Sequence, residues 1–350
     1  MGELRFGIVG YGLAGRVFHG PLIAATDGLA VAAVVTGDPG RAAQAAHDHP
    51  QAALYDSAAA LWENAAELDG VVIATANDVH VPLAVAAIDH RLPVVVDKPL
   101  APDADAAEAL IEHAERAGVL LTVFQNRRWD SDQLLLAQVI ESGGLGTVWR
   151  FESRLERWRP EPEPGRWRDS ATPAQGGGQL LDLGSHLVDQ ALHRFGPVTH
   201  VYAEVDARRG LAADDDVFVA LTHTSGVISH LRASVVSAAP GPRLRVLGSE
   251  AALIVPEPDT QEARLRAGER PDRVEDWGVE ATANRPRLIA GARSVPLNGP
   301  PGDWPAFYAR LRDALRSGGP PPIDPHDALA TLRVLDAARV SAASRAVLAL

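Results

Sequence analysis

Cysteine is absent from the 350-residue chain. That removes a disulfide framework, a thiolate metal centre and a cysteine nucleophile together. Positive charge is short as well: 33 Lys and Arg face 45 Asp and Glu, a net charge of −12. Nucleic-acid surfaces and anionic membranes both call for a clustered basic face, so neither is expected as a partner. No apolar run approaches the length of a membrane span. Met1–Phe6 lacks the basic-then-apolar order of an export signal, so a cytoplasmic location is the expectation. Internal repeats are missing. The nearest approach to low complexity, Arg159–Gly165 (R-P-E-P-E-P-G), reads as an extended loop.

What is present starts with Gly7–Gly15, G-I-V-G-Y-G-L-A-G. The apolar run Leu4–Val9 stops on Gly10, further glycines fall at Gly12 and Gly15, and a helix-like stretch, Val17–Ala25, follows. Each glycine has a task in a dinucleotide-binding turn. Gly10 permits a tight reversal, Gly12 lets backbone approach a pyrophosphate, and Gly15 lets the helix pack on the strand. The helix then points unpaired N–H groups at the phosphates. Gly10, Tyr11, Gly12, Leu13, Ala14 and Gly15 are therefore expected to bind the cofactor. With 31 glycines in the chain the pattern carries weight only in the right setting.

The setting is there. Leu4–Val9, Leu29–Thr36, Gly70–Thr75, Pro93–Asp97 and Val119–Phe124 are branched apolar runs suited to strands buried on both faces. They alternate with helical segments Val17–Ala25, Pro39–His47, Val81–Asp89 and Asp103–Ala117. This predicts an α/β Rossmann domain, a doubly wound parallel sheet, over residues 1–124. Beyond it come helix Ser131–Glu141 and then strand-like runs at Thr147–Trp158, Val198–Asp206, Val217–Thr224, Val227–Val236 and Arg243–Gly248. Helix Gln179–Phe195 interrupts them, and helices Trp304–Ser317 and Pro325–Ala349 close the chain. Residues 125–350 are thus expected to form an α+β domain with a large, mostly antiparallel sheet for substrate binding and oligomerisation, its C-terminal helix free to pack back on the first domain.

The end of the second strand bears on the choice of dinucleotide. NAD sites place a carboxylate there for the ribose, whereas NADP sites remove it. Here Thr36-Gly37 occupies the position, Arg41 follows one turn later, and Asp38 is placed to cap the next helix with Pro39 at its first position. NADP is expected, with NAD the outcome if Asp38 turns onto the ribose instead. Thr75 ends the third strand and Asn77 and His80 follow it, at the cofactor edge. As alternatives, Asn77 caps the helix and His80 packs beneath it.

Chemistry is expected where the domains meet. Lys98, in V-D-K-P at the end of a buried strand, is placed to hold a substrate hydroxyl or carbonyl, and a cis Lys98–Pro99 bond would fix its direction. Gly176-Gly177-Gly178 precedes D-L-G-S-H, in which Asp182 and His186 stand four apart on a helix. A histidine near neutral pKa accepts an alcohol proton, and a neighbouring carboxylate orients substrate. The bland alternatives are a solvated loop lysine and a satisfied helix pair. No metal is expected, since a third and a fourth ligand are needed and Asp189, which could be one, converges poorly. Arg127, in Gln125–Asp130, and Trp167 with Arg168, after the proline-rich loop, are further substrate-binding candidates. A basic interdomain turn and an ordinary surface loop are their alternatives.

Together these motifs resemble the Gfo/Idh/MocA oxidoreductases over nearly the whole length. The resemblance rests on G-Y-G-L-A-G, on A-N-D-V-H where the family has P-N-x-x-H, on D-K-P where it has E-K-P, and on D-L-G-S-H. More narrowly, G-R-V-F-H-G-P-L, F-Q-N-R-R-W-D-S-D, R-W-R and D-L-G-S-H-L-V-D-Q are similar to the branch that contains bacterial NADP-dependent scyllo-inositol dehydrogenases. The resemblance implies that Lys98, Asp182 and His186 serve the reaction. It also implies a cyclic polyol or sugar substrate, as in interconversion of a scyllo-inositol-like hydroxyl and its ketone, and a sheet-mediated homodimer or homotetramer. Asp97 stands where the family has glutamate, and Thr36-Gly37 lacks the Ser-Arg pair often found at NADP sites. An NAD-dependent glycoside hydrolase of the same fold and a non-catalytic NADP(H) sensor stay open as alternatives. The first would release a sugar without net change in the cofactor, and the second would turn nothing over.

Overall fold

The computed structural model describes residues 2–162 and 171–350. The chain forms two compact units. The first holds residues up to 126 with 261–277 and 303–329; the second holds 127–260, 278–302 and 330–350.

The first unit is built on a six-stranded sheet: β1 (Leu4–Val9), β2 (Leu29–Val35), β3 (Ala53–Tyr55), β4 (Gly70–Ile73), β5 (Val94–Asp97) and β6 (Leu121–Phe124). Their order is β3-β2-β1-β4-β5-β6, and every neighbouring pair is parallel. That is the doubly wound order whose direction switches between β1 and β4, which leaves a crevice beyond the strand carboxyl ends. Each residue of β4, β5 and β6 is buried, as their unbroken apolar runs require. Helix Ala104–Ala117 shows how one flank is made. Asp103 caps it by accepting the N–H of Ala106 at 2.9 Å, and Gly118 ends it at φ 63°. Ala107, Leu110, Ile111 and Ala114 form its buried stripe, the larger side chains contributing about 1.5–3 kcal/mol each.

Segments 261–277 and 303–329, which a linear reading places with the second domain, fold with this first unit. The reason is the exposed side of the last parallel strand. Phe307, Tyr308 and Leu311 of helix Pro305–Ser317 are fully buried, Phe307 meets Phe124 of β6 edge-on at 4.9 Å, and the Thr122 hydroxyl donates to the Ile323 carbonyl at 2.8 Å.

The second unit carries a nine-stranded sheet. Its strands are β7 (Val148–Glu156), β8 (Val198–Asp206), β9 (Asp216–His223), β10 (Ile228–Ser234), β11 (Leu244–Gly248), β12 (Ala252–Val255), β13 (Arg287–Ala290), β14 (Arg293–Pro296) and β15 (Leu348–Ala349), in the order β14-β13-β12-β11-β7-β10-β9-β8-β15. Only β7 and β10 pair in parallel. One face is buried through Val201, Ala203, Val217, Val219, Leu221, Leu231 and Ala233, the other half of a period-2 pattern staying accessible.

Three elements differ from expectation. Pro325–Ala349 is not one helix: it ends at Ser344, Arg345 turns to φ 55°, and Leu348 pairs with Val201 of β8. Ser341 secures that end, accepting from the Ala203 N–H at 3.0 Å and donating to the Ala346 carbonyl at 2.6 Å. Helix Gln179–Phe195 is two pieces, Gln179–Asp182 and Gly184–Phe195, interrupted at Leu183. The first helix begins earlier than Val17. It runs Ala14–His19 with a widened ring, the N–H of Gly20 bonding the Gly15 carbonyl five residues back, and continues Gly20–Ala24. Pro21 supplies the physical reason, because it has no N–H for an ordinary turn and would crowd the carbonyl four residues earlier.

Candidate active site

The glycine turn sorts its three glycines by what surrounds them. Gly10 has φ +97°, and a Cβ there would lie 2.6 Å from the Ala74 carbonyl oxygen and 2.9 Å from the Thr75 methyl. A Cβ on Gly15 would lie 2.0 Å from the Gly10 carbonyl oxygen. Both are closed by protein. Gly12 is not: the nearest atom to its Cβ position is a guanidinium nitrogen of Arg41, at 4.0 Å. Open space over the central glycine and a helix start behind it fit the diphosphate of a dinucleotide.

Thr36 and Asp38 behave as the cap reading requires. The Asp38 carboxylate accepts the N–H of Arg41 at 2.8 Å, and the Thr36 hydroxyl accepts the N–H of Asp38 at 3.3 Å. Arg41 itself is exposed. Tyr11 is buried, and its hydroxyl donates to Asp48 at 2.9 Å; burial, with Asp48 second, pushes the phenol pKa up. The Tyr11 side chain is thus engaged within the fold, while Leu13 is exposed and Ala14 half-buried.

Asn77 is buried at the start of a short turn, Asn77–Val79, and the following helix, His80–Asp89, has no side-chain cap. His80 is fully buried, Nδ1 at 2.9 Å from the Pro99 carbonyl and Nε2 at 3.3 Å from the Thr75 carbonyl. Burial holds its pKa down against the nearby Asp97. A neutral ring donates to only one of these oxygens. The ring thus sits between the Thr75 and Pro99 carbonyls.

Lys98 follows β5 on the same carboxyl-end edge of the sheet, and the Lys98–Pro99 peptide is cis. Its N–H donates to the Asp97 carboxylate at 2.8 Å. Lys98 is also the chain's single lysine; all the other members of the 33 Lys and Arg are arginine. That signal lies in the sequence itself, and motif spacing passes it over.

In the second unit, the glycines before D-L-G-S-H do something other than admit a ligand. Gly178 has φ +94°, and a Cβ there would lie 2.0 Å from the Asp214 carboxylate; on Gly177 it would lie 2.1 Å from the Ala171 carbonyl oxygen. The close approach is to Asp214, whose carboxylate accepts the Leu180 N–H at 2.7 Å while its carbonyl accepts that of Gln179 at 3.0 Å. Asp214 is thus the cap of the Gln179–Asp182 helix, supplied from 34 residues away. Its burial raises its pKa despite those bonds. Asp182 is half-buried, His186 is buried, and the pair straddles the interruption at Leu183.

The polar stretch Gln125–Asp130 is internal. Arg127 is buried with its guanidinium 3.2 Å from Asp130, and Arg128 grips Asp189 bidentately at 2.9 and 2.6 Å. Arg243, fully buried, bonds Ser153 and Gln190 and pairs with Asp132 at 2.9 Å. Burial drives Asp130 well above the usual carboxylate range, with Arg127 opposing. Buried charge in such numbers demands this pairing. Asp189, the one further metal candidate, is held by Arg128. Trp167 and Arg168 lie outside the described residues. Among the described residues no helix is long and apolar enough to cross a membrane.

Both parts of the chain match known families. Residues 4–125 match the oxidoreductase family with an NAD-binding Rossmann fold, and residues 133–254 match the GFO/IDH/MocA C-terminal domain. The chain is a Gfo/Idh/MocA oxidoreductase. As such it is an NAD(P)-binding enzyme. It has relatives of nearly its own length. It is 36% identical over 99% of both chains to an uncharacterized oxidoreductase, YdgJ, of Escherichia coli K12. It is 31% identical to the scyllo-inositol 2-dehydrogenase (NADP(+)) IolW of Bacillus subtilis 168, covering 97% of this chain and 93% of that one. Among solved structures, the YvaA oxidoreductase of Bacillus subtilis superposes with a TM-score of 0.93 at 30% identity, covering 100% of this chain and 99% of the other.

Proposed function

We propose that this Gfo/Idh/MocA enzyme interconverts a hydroxyl of a cyclic polyol or sugar, of the scyllo-inositol type, with the corresponding ketone. The observation that carries it is a lysine kept at one place only, behind the D-K-P strand end, in a chain that elsewhere uses arginine. The cofactor supplies hydride acceptance and donation when bound. The chain's own residues handle the proton and the oxygen. His186 takes the hydroxyl proton in oxidation and returns it in reduction. Lys98 hydrogen-bonds the reacting oxygen and steadies its developing charge. Asp182 holds a neighbouring hydroxyl. Arg127, Trp167 and Arg168 remain substrate-side proposals, Arg127 acting through the segment it secures with Asp130.

NADP is the proposed coenzyme. Asp38 is committed to a helix cap, Thr36 offers only a hydroxyl, and the Arg41 guanidinium stands over the Gly12 turn. A second phosphate would meet a cation rather than a carboxylate. We also infer a homodimer or homotetramer through the accessible face of the nine-stranded sheet. There Phe218, Ile228 and Ile254 share a side with Arg150, Glu152, Arg154 and Arg245 by register.

The test is a spectrophotometric screen of inositols, inososes and free sugars with NADP and NAD in parallel. Turnover of a cyclic polyol with NADP preferred is expected. Activity confined to acyclic acids or amino compounds would remove the polyol assignment, and a clear NAD preference would remove the coenzyme assignment.

A further inference from the structure

Behind Lys98 lies a buried polar chain that the proposed reaction does not use. His19 is fully buried, with Nδ1 2.6 Å from the Tyr308 hydroxyl and Nε2 3.9 Å from Oδ1 of Asp97. Nε2 makes no hydrogen bond. The same Asp97 oxygen accepts the Lys98 N–H at 2.8 Å. Tyr308 is also fully buried, and Phe124 packs against the His19 ring with centroids 4.4 Å apart and planes tilted by 51°. The charged and titratable groups around Asp97 are therefore His19, Tyr308, His80 and Lys98.

The proton positions follow from chemistry. Burial pushes His19 down to about 4, with Asp97 opposing, so the ring is neutral and carries one N–H. Burial raises Tyr308 well above its usual value, so its proton stays on. At 2.6 Å one of the two must donate to the other. If His19 carried its proton on Nδ1, Nε2 would turn a lone pair toward a carboxylate in a low-dielectric interior. With the proton on Nε2, Tyr308 donates to Nδ1 and the ring presents N–H to Asp97, the arrangement that the Asp97 charge favours.

We propose that His19 and Tyr308 are positioning residues for Lys98, acting through Asp97. His19 belongs to the widened helical stretch that leaves the glycine turn. One end of that stretch offers its N–H groups to the dinucleotide, and the other meets the carboxylate that holds the Lys98 main chain. The height of the cofactor and the height of Lys98 are thereby set by one piece of backbone, with Tyr308 bracing it from a segment more than 280 residues away in sequence. The inference rests on Lys98 serving the reaction as proposed above.

The experiment compares Tyr308→Phe, which keeps the ring and removes the donor, with His19→Gln and the double variant. Turnover on the polyol identified in the screen is read alongside NADPH affinity by fluorescence titration and thermal midpoint. Acetylation of Lys98 by an N-hydroxysuccinimide ester, followed by peptide mass spectrometry, gives a readout that needs no turnover, since no other lysine competes. The expected result is a fall in kcat of about tenfold or more in each single variant, with KM and NADPH affinity within about threefold. The Lys98 acetylation rate should change in both, and the double variant should fall no further than the worse single, as residues acting in one chain do. Unchanged kcat and unchanged Lys98 reactivity in folded Tyr308→Phe would overturn the proposal, as would losses that only follow the thermal midpoint. Altered Lys98 reactivity in an enzyme that turns over no polyol would sustain the positioning role and remove the substrate assignment.

Discussion

Two glycine-rich segments precede helices in this molecule, and they work differently. At Gly10–Gly15 the outer glycines are closed by protein while Gly12 faces open space and the Arg41 guanidinium. At Gly176–Gly178 both closing contacts are internal, Gly178 against the Asp214 carboxylate and Gly177 against the Ala171 carbonyl. In each case a helix start needs an acceptor for its unpaired N–H groups. The second helix finds one in its own chain, while the first leaves its place open. The lesson is that glycine before a helix marks close approach, and only the structure says whether protein or ligand approaches.

The comparison is tested most severely by asking whether the lysine near the first segment and the histidine after the second serve one reaction. Lys98→Met and His186→Ala should each lower kcat by about 10²–10⁴-fold, with NADPH affinity retained. Near-normal turnover in either would separate that residue from the chemistry. Next in size, Gly178→Ala combines a left-handed backbone with a collision at Asp214. It should cost the fold about 2–4 kcal/mol in urea unfolding. Gly12→Ala should leave the unfolding midpoint in place and weaken NADPH binding about tenfold, near 1.4 kcal/mol. If the two alanines exchanged these effects, the assignment of one segment to protein and the other to ligand would be reversed.

Much of this was legible before folding. Strands β4, β5 and β6 are buried on both faces, so their apolar runs are continuous and their order follows from the alternation with helices. Asp38 as a cap was legible because cap, Pro39 and helix are neighbours in sequence. The cap at Gly178 was not, because Asp214 arrives from a distant strand start, and nothing local distinguishes it from Asp215 and Asp216. Strands β12 to β14 are four residues each and mix polar with apolar positions, too short for periodicity to separate from loop. The buried pairing of Arg128 with Asp189 was missed for the same long-range reason. A polar run after a strand reads as a cleft when its partners are out of view.

Smaller effects sharpen the contrast at each helix start. Arg41→Ala removes the cation above Gly12 and should reduce the preference for NADP over NAD by about tenfold, the size of one charge-assisted hydrogen bond, measured as the ratio of the two kcat/KM values. NAD kinetics should hardly move. A loss shared equally by both coenzymes would place Arg41 on the common diphosphate instead.

The smallest effect tests Asp214, the internal counterpart of a bound anion. Burial raises its folded-state pKa above the ordinary aspartate value of 3.8. Between 3.8 and the raised value the folded protein holds the proton more tightly than the unfolded chain does, so this residue's contribution to stability falls as pH rises through that window. Asp214→Asn keeps a side-chain acceptor for the Leu180 N–H and removes the ionisation. The variant should therefore gain on wild type in urea unfolding as pH is raised from about 4 to 7, whatever its absolute stability. A gap that closes with rising pH would mean the carboxylate is favoured in place by the helix N–H groups. Asp214 would then belong with the strong anion sites, and the two glycine segments would differ only in where their anion comes from.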